Sequence, residues 1–418
     1  MREEKTNREK RRRRRVRNQI LAYLTLLILI VLVLIAGYFG VRYIIDYVNK
    51  YNDKVNRVIE EAESSAFQDS DDEIDDTETQ GGEVQYEEGY TTSVAEDQLK
   101  QLVDSLLGEM TTEEMVAGMF IVSPESITGV ETAIQAGEGT QKAITENPVG
   151  GIIYAAKNFK SQDQFTQMLT KTRGFSKYPL FTVVQAECGS SAFGLEETPK
   201  AAKLTDADSV VQAYGSISAK LASYGINMDL APVTEISSEE NAFGTDASVA
   251  ALLVSASVQA IQSAEISAVL LKFPGKTAET KSLEELKNGE LIVYDAAIKS
   301  GVDCIMVSHV KANSITGDNT PSSLSSVVIQ DILRKTLGFD GVVITDSLSD
   351  SAVVDNYSSA EAAVAAIQAG ADLLLEPAEY QEAYKGVLQA VSDGTITKER
   401  IYESLYRIYR VKYKNALE

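Results

Sequence analysis

Tryptophan is absent from this 418-residue chain, histidine occurs once and cysteine twice. Each shortage closes off a kind of site. Without an indole, any flat ligand face must stack on Tyr or Phe, of which there are 19 and 11. Imidazole chemistry can run only through His309. Cys188 and Cys304 make no disulfide framework; they read most simply as buried small residues, with a single bridge between them left open. No G-x-G-x-x-G follows an early strand, which removes the dinucleotide-binding signature. The acidic run DSDDEIDDTETQGGEVQYEEG lacks the D-x-D-x-D-G pattern of a calcium loop.

The formal net charge is −22, unevenly placed. Residues 1–19 hold ten Lys and Arg against three Glu, a net of +7, which leaves −29 on the remainder. A body this acidic repels a phosphate backbone, so nucleic acid is not expected as a partner. Ile20 to Val41 is an uncharged run of 22 residues, long enough for one membrane-spanning helix. A cleaved signal peptide would have a shorter apolar stretch and a small-residue cleavage site, and Arg42-Tyr43-Ile44-Ile45 offers none. The basic cluster Arg11–Arg15 belongs in the cytoplasm. The expected layout is a basic cytoplasmic tail (1–19), a transmembrane helix (20–41), an acidic stalk, partly helical or disordered (42–96), and an extracytoplasmic body (97–418) on a single-pass cell-membrane protein.

Within the body, strand-like runs alternate with helical stretches. The runs are Gly118–Val122, Gly150–Tyr154, Leu180–Gln185, Ile226–Pro232, Ala268–Phe273, Cys304–His309, Gly341–Asp346 and Ala371–Glu376. Helical spacing fills segments such as Asp208–Tyr224, Thr245–Ala264 and Ser359–Ala369. Such alternation implies a parallel sheet. Eight units in this length suit an α/β TIM (β/α)8 barrel, with a doubly wound open sheet as the rival. Leu333 to Leu348 carries the sharpest signal. It reads as a helix end, a Gly338 turn needing positive φ, a β-branched strand covered on both faces, and an acid, Asp346, where the strand runs out. In a parallel barrel that end is where chemistry is done.

This stretch resembles the nucleophile motif of glycoside hydrolase family 3, and the resemblance covers most of the body. Met110–Val122, Asn147–Tyr154, Tyr224–Val233, Lys272-Phe-Pro-Gly275, Cys304–His309 and Ala365–Leu375 are similar to successive family segments in order and spacing. The single-barrel form is most similar to bacterial β-N-acetylglucosaminidases that process cell-wall fragments. The resemblance implies Asp346 as the nucleophile that attacks the sugar, water as second substrate, and no metal or cofactor.

Departures fall on the residues that would grip and protonate the sugar. The family's D-x-E-G-G-R is Gln185-Ala-Glu-Cys-Gly-Ser190 here, so Gln185 stands in the sugar-binding Asp position and Ser190 in the Arg position. Glu235 follows Thr234 where the family has Asp, and Asn241-Ala-Phe-Gly244 replaces Arg-Ser-Phe-Gly. Leu271, Lys272 and Lys276 replace the Lys and the two His of K-H-F-P-G-H-G. The Asp-x-His acid/base pair is missing from the loop Thr277–Leu286, where Glu279 is the best-placed substitute and Glu284 and Glu285 read as solvent-facing. Glu187 is a candidate for a sugar hydroxyl or for a salt bridge with Lys272 or Lys276. Those lysines would hold an anionic sugar group or neutralise Asp346 and Glu187. His309 is a candidate substrate contact or a hydrogen-bonded rim residue. Two functions follow as expectations. One is a hydrolase of a β-linked N-acetylhexosamine or related cell-wall sugar; the other is an inactive barrel that binds peptidoglycan-derived glycan or a protein partner at the cell surface.

Overall fold

A computed structural model describes residues 94–414. The expected cytoplasmic tail, membrane helix and nearly all of the stalk lie outside the described residues, as do the last four. Among the described residues no helix is long and apolar enough to cross a membrane. The first helix, Val94–Glu109, begins three residues before the boundary expected at 97.

All eight expected strands form, seven of them shorter than the apolar run that announced them and β5 one residue longer. They are β1 (Phe120–Val122), β2 (Gly151–Ile153), β3 (Phe181–Val184), β4 (Met228–Asp229), β5 (Ser267–Phe273), β6 (Cys304–Val307), β7 (Val342–Thr345) and β8 (Leu374–Leu375). Their order is β7-β6-β5-β4-β3-β2-β1-β8, parallel throughout. A parallel bridge between Ile344 and Leu373 joins the two ends of that order. The sheet is therefore a TIM-type barrel, and the open-sheet rival falls. Trimming has local causes. Pro232 has no N–H to give a ladder, and the Ala231 amide turns back to the Asp229 carbonyl at 2.9 Å beyond the end of β4. Gly118 caps the helix Thr112–Ala117 instead of starting β1.

Both faces of β7 are buried, as its β-branched residues require. Gly338 has φ of +70°, the left-handed conformation its place after the helix Val327–Thr336 demands. Gly150 is needed for space: a Cβ there would lie 2.1 Å from the carbonyl oxygen of Gly118. The outer helices are capped by their own sequence. Asp206 accepts from the Ser209 amide at 2.8 Å to start Ala207–Tyr224, and Gly225 (φ +93°) ends it. Cys188 and Cys304 are both free and buried, so no bridge joins them.

The seam between β7 and β8 is held from the end of the barrel opposite Asp346. Asp372, fully buried before β8, accepts the Val343 amide at 3.0 Å through Oδ2. The same oxygen takes the Arg334 guanidinium at 2.6 Å, while Oδ1 takes Ser404 Oγ at 2.7 Å and Arg407 at 3.3 Å. Arg400 lies 3.6 Å away and donates to the Ala371 carbonyl. A carboxylate thus does what a strand carbonyl does elsewhere, and its charge is met by three arginines. Asp372→Asn should destabilise the fold by about 3–5 kcal/mol, because Arg334 and Arg400 keep only carbonyl and hydroxyl partners. Denaturant unfolding followed by circular dichroism measures this; an unchanged midpoint would show the seam does not depend on that charge.

Candidate active site

Asp346 follows β7 directly, at the carboxyl end of the barrel. Its backbone amide donates to the Val307 carbonyl at 2.9 Å, extending the β6–β7 ladder by one bond. Its carboxylate is held on both oxygens: Oδ1 accepts the Ser347 amide at 3.0 Å, and Oδ2 accepts Lys272 Nζ at 2.6 Å. Lys272 belongs to β5 and is the one exposed residue of that strand. Its side chain is 45 % exposed, so the pair adds at most about 1 kcal/mol to stability. Its effect is orientation: it fixes where the carboxylate points.

The other lysine goes elsewhere. Lys276 Nζ pairs with Glu235 Oε2 at 2.8 Å, which ties the loop after β5 to the loop after β4 and raises the lysine pKa, chiefly through that hydrogen bond. Glu187 therefore has neither lysine as partner. It accepts Tyr214 Oη at 2.6 Å through Oε2, while its buried Oε1 has no partner. Tyr214 sits on the helix Ala207–Tyr224 behind the strands, so the Glu187 carboxyl is engaged from the helix layer. Burial pushes it up to about 7, against the pull of the Tyr214 hydrogen bond. Beside it, Asp229 at the end of β4 is fully buried. Asp229 Oδ1 accepts the Ala186 amide at 2.9 Å and Oδ2 has no partner. Burial and the Glu187 charge push Asp229 well above the carboxylate range. The Cys188 thiol is driven up to about 12 by the same burial and the same acid, so it is no nucleophile at neutral pH.

Glu279 ends the short 3-10 turn Lys276–Glu279 after β5. The turn is anchored from below by Glu290, which accepts Thr277 Oγ1 and accepts Lys281 Nζ at 2.8 Å. Burial raises the Glu290 pKa, but Lys281 and Thr277 outweigh it and hold the carboxyl below its usual range. Glu279 itself is exposed, with no hydrogen bond or ion pair among the described residues. Gln185 is likewise exposed at the end of β3. Of the next two acids, Glu284 pairs with Lys287 and Glu285 closes a capping box with Ser282. Both ring nitrogens of the buried His309 are engaged: Nδ1 with Ser323 Oγ at 2.7 Å and Nε2 with the Ser347 carbonyl at 2.8 Å. It offers no free nitrogen to a sugar.

The structure thus joins Asp346 with Lys272, leaves Glu279 and Gln185 facing solvent, separates Glu187 and Lys276 into other networks, and places His309 on the Ser347 peptide that follows Asp346. Asp229 and Glu376 escaped the sequence reading, though the rule that singled out Asp346, an acid at a barrel strand's carboxyl end, applies to both. Glu376 follows β8 in a left-handed conformation (φ +42°). Its pKa is raised by burial, a rise that Lys157 opposes and Glu125 adds to. The signal for Tyr214 was weaker, since nothing in a helical Tyr announces a buried acid opposite.

A testable consequence concerns pH. Glu187 ordinarily loses its proton near 4.5 and in the fold near 7. Across that window the folded chain holds a proton that the unfolded chain has released, so stability falls as pH rises. The full effect is about 3 kcal/mol. Glu187→Gln keeps an acceptor for Tyr214 and should make stability against pH shallower between those limits. Thermal unfolding at pH 5 and pH 8 measures it, and equal slopes for variant and parent would refute the assignment.

Comparison with known proteins matches this geometry. The family model "Glycosyl hydrolase family 3 N terminal domain" matches residues 102–411. A "Beta-N-acetylglucosaminidase/beta-glucosidase" of Cellulomonas fimi is 27% identical over 276 residues, covering 58% of this chain and 49% of that protein. A "Beta-hexosaminidase" of Xanthomonas oryzae is 26% identical over 281 residues, covering 60% and 81%. Among solved structures, a family 3 β-N-acetylglucosaminidase of a Paenibacillus species superposes with a TM-score of 0.68 at 29% identity, covering 74% of this chain and 63% of that one. The chain therefore spans about half of the Cellulomonas protein and under two thirds of the Paenibacillus one. With the barrel closed, Asp346 at the end of β7 and the family model spanning most of the described body, the chain belongs to glycoside hydrolase family 3.

Proposed function

We propose that the barrel hydrolyses a terminal β-linked N-acetylhexosamine, or a related sugar of a cell-wall glycan, with Asp346 as nucleophile. One observation carries this reading. Asp346 stands at the carboxyl end of β7 with its amide locked to β6 and both carboxylate oxygens held, an orientation fixed before substrate arrives. A carboxylate oxygen of Asp346 attacks the anomeric carbon as the bond to the leaving oxygen breaks, giving a covalent glycosyl-enzyme. The leaving oxygen takes a proton from Glu279, which then removes one from the incoming water, and the product keeps its β configuration. Lys272 shares its hydrogen bond with the substrate as the Asp346 charge is consumed. The named hexosaminidase relatives support the sugar class.

A second reading, a glycan-binding barrel without turnover, is supported by a separate observation. Glu279 faces solvent without a partner, and no imidazole stands on its loop. Aryl β-N-acetylglucosaminides separate the two. Under the hydrolytic reading, the full chain in detergent releases phenol, and Asp346→Asn lowers that rate by at least about 10³-fold. Glu279→Gln should slow poor leaving groups by about 10²-fold or more and dinitrophenyl leaving groups little, because only the former need the proton. Binding without hydrolysis by the parent chain would establish the second reading instead.

The placement proposed for this activity is outside the cytoplasm, tethered by residues 20–41. Protease added to intact cells should shave off the barrel. A barrel fully protected until the cells are lysed would reverse the orientation.

A further inference from the structure

We propose that His309, the only imidazole in the chain, is a positioning residue for Asp346 that acts through the Ser347 peptide. The inference rests on the reading of Asp346 as nucleophile. It adds a role that neither the departures from the family motifs nor the ion pair with Lys272 supplies.

The geometry is a short relay. A carbonyl oxygen can only accept, so the 2.8 Å contact between Nε2 and the Ser347 carbonyl places the imidazole proton on Nε2. Nδ1 is then the acceptor for the Ser323 hydroxyl at 2.7 Å. Ser323 is fully buried, and its own amide donates to the Ser308 carbonyl at 2.9 Å, so the ring is braced against the end of β6. The Ser347 residue it holds is the one whose amide donates to Asp346 Oδ1 at 3.0 Å. Backbone bonds fix either side of that residue: the Asp346 amide to Val307 and the Leu348 amide to Leu375, each at 2.9 Å. The Ser347 carbonyl shares its peptide plane with the Leu348 amide and also accepts the Asp350 amide at 3.0 Å, and the imidazole is the side-chain donor added to it. A swing of that carbonyl turns the neighbouring backbone and moves the amide away from the carboxylate. His309 is the side chain that adds to the backbone's hold against it.

The position explains why the residue is buried at 8 % exposure. It also explains why both nitrogens are committed to protein atoms. A substrate contact would break one of them.

Two variants separate positioning from bulk. Gln places an amide N–H near the Nε2 position and preserves the bond to Ser347. Asn is shorter, stays near Ser323 and loses Ser347. In hydrolysis of an aryl β-N-acetylglucosaminide by the full chain in detergent, His309→Asn should lower kcat by about 10²-fold with KM little changed. His309→Gln should stay within about 3-fold of the parent, since the donor to Ser347 is retained. Equal losses in both variants, or none in either, would overturn the proposal. Two readouts do not depend on turnover. With 15N-histidine in an untagged chain, the single imidazole should show the Nε2–H tautomer at neutral pH; the Nδ1–H tautomer would overturn the relay. Crystal structures should show the Asp346 carboxylate turned from the Ser347 amide in the Asn variant and unmoved in the Gln variant, and an unmoved carboxylate in both would overturn it as well. If the parent chain hydrolyses nothing, the hydrolytic reading falls, while the tautomer and the two variant structures still decide the positioning role.

Discussion

Closure of the barrel depends on one buried carboxylate. β8 has only two residues in strand geometry, and few backbone bonds join it to β7, among them the Thr345 amide to Leu373 and the Leu373 amide to Val343, each at 3.0 Å. Asp372 adds a side-chain bond by accepting the Val343 amide, and three arginines from two outer helices make its charge tolerable. A buried acid without such partners would cost several kcal/mol. The same arginines reach carbonyls that end neighbouring elements, Phe339 and Gly341 from Arg334 and Ala371 from Arg400. The knot therefore sets the height of β7 relative to β8. Asp346 inherits that height, because only four strand residues lie between Gly341 and the acid.

At the other end of the strands several acids stand close together, and their partners decide what each can do. Asp346 has a cation and an amide. Glu235 has Lys276. Glu187 has a tyrosine hydroxyl, and Asp229 an amide, with one oxygen orphaned on each. Two neighbouring buried carboxyls with raised proton affinity are most simply reconciled by retaining at least one proton between them. That pair is tied to the helix layer by Tyr214 and serves the strand–helix contact. Carboxyls at neighbouring strand ends thus divide into an acid oriented by a lysine and an amide and a pair that retains at least one proton.

The fold was legible because its signals were local and repeated. Each apolar run between helical stretches became a strand, and Gly338 took the positive φ that a turn after a helix requires. Strand ends were less legible, since contacts such as the Asp372 side chain on the Val343 amide appear only in three dimensions. The site was legible in part. Asp346 could be placed by the rule of the barrel's carboxyl end, whereas the fate of the lysines could not. Lys272 and Lys276 are four residues apart, yet a turn after β5 sends them to different acids. Nothing in the spacing separates a lysine that orients Asp346 from one that ties two loops.

The chemical consequence of the Lys272 pairing depends on how the second carboxylate oxygen is held. A flexible acid paired to a mobile lysine would follow that lysine into solvent, and an approaching anomeric carbon would meet a range of orientations. Here the amide of Ser347 opposes the lysine from the other oxygen, so the carboxylate is held between a rigid donor and a compliant one. The compliant side can yield when substrate arrives, because a half-exposed ammonium exchanges one partner for another at little cost in water. The rigid side cannot yield without moving the peptide after Asp346. That asymmetry leaves Oδ2, the oxygen facing Lys272, as the one most easily released, and under the proposed hydrolysis it is the attacking oxygen, while Oδ1 stays on the Ser347 amide. The two holds on Asp346 therefore differ in kind: the backbone behind the acid fixes Oδ1, and the cation in front orients Oδ2 while remaining displaceable.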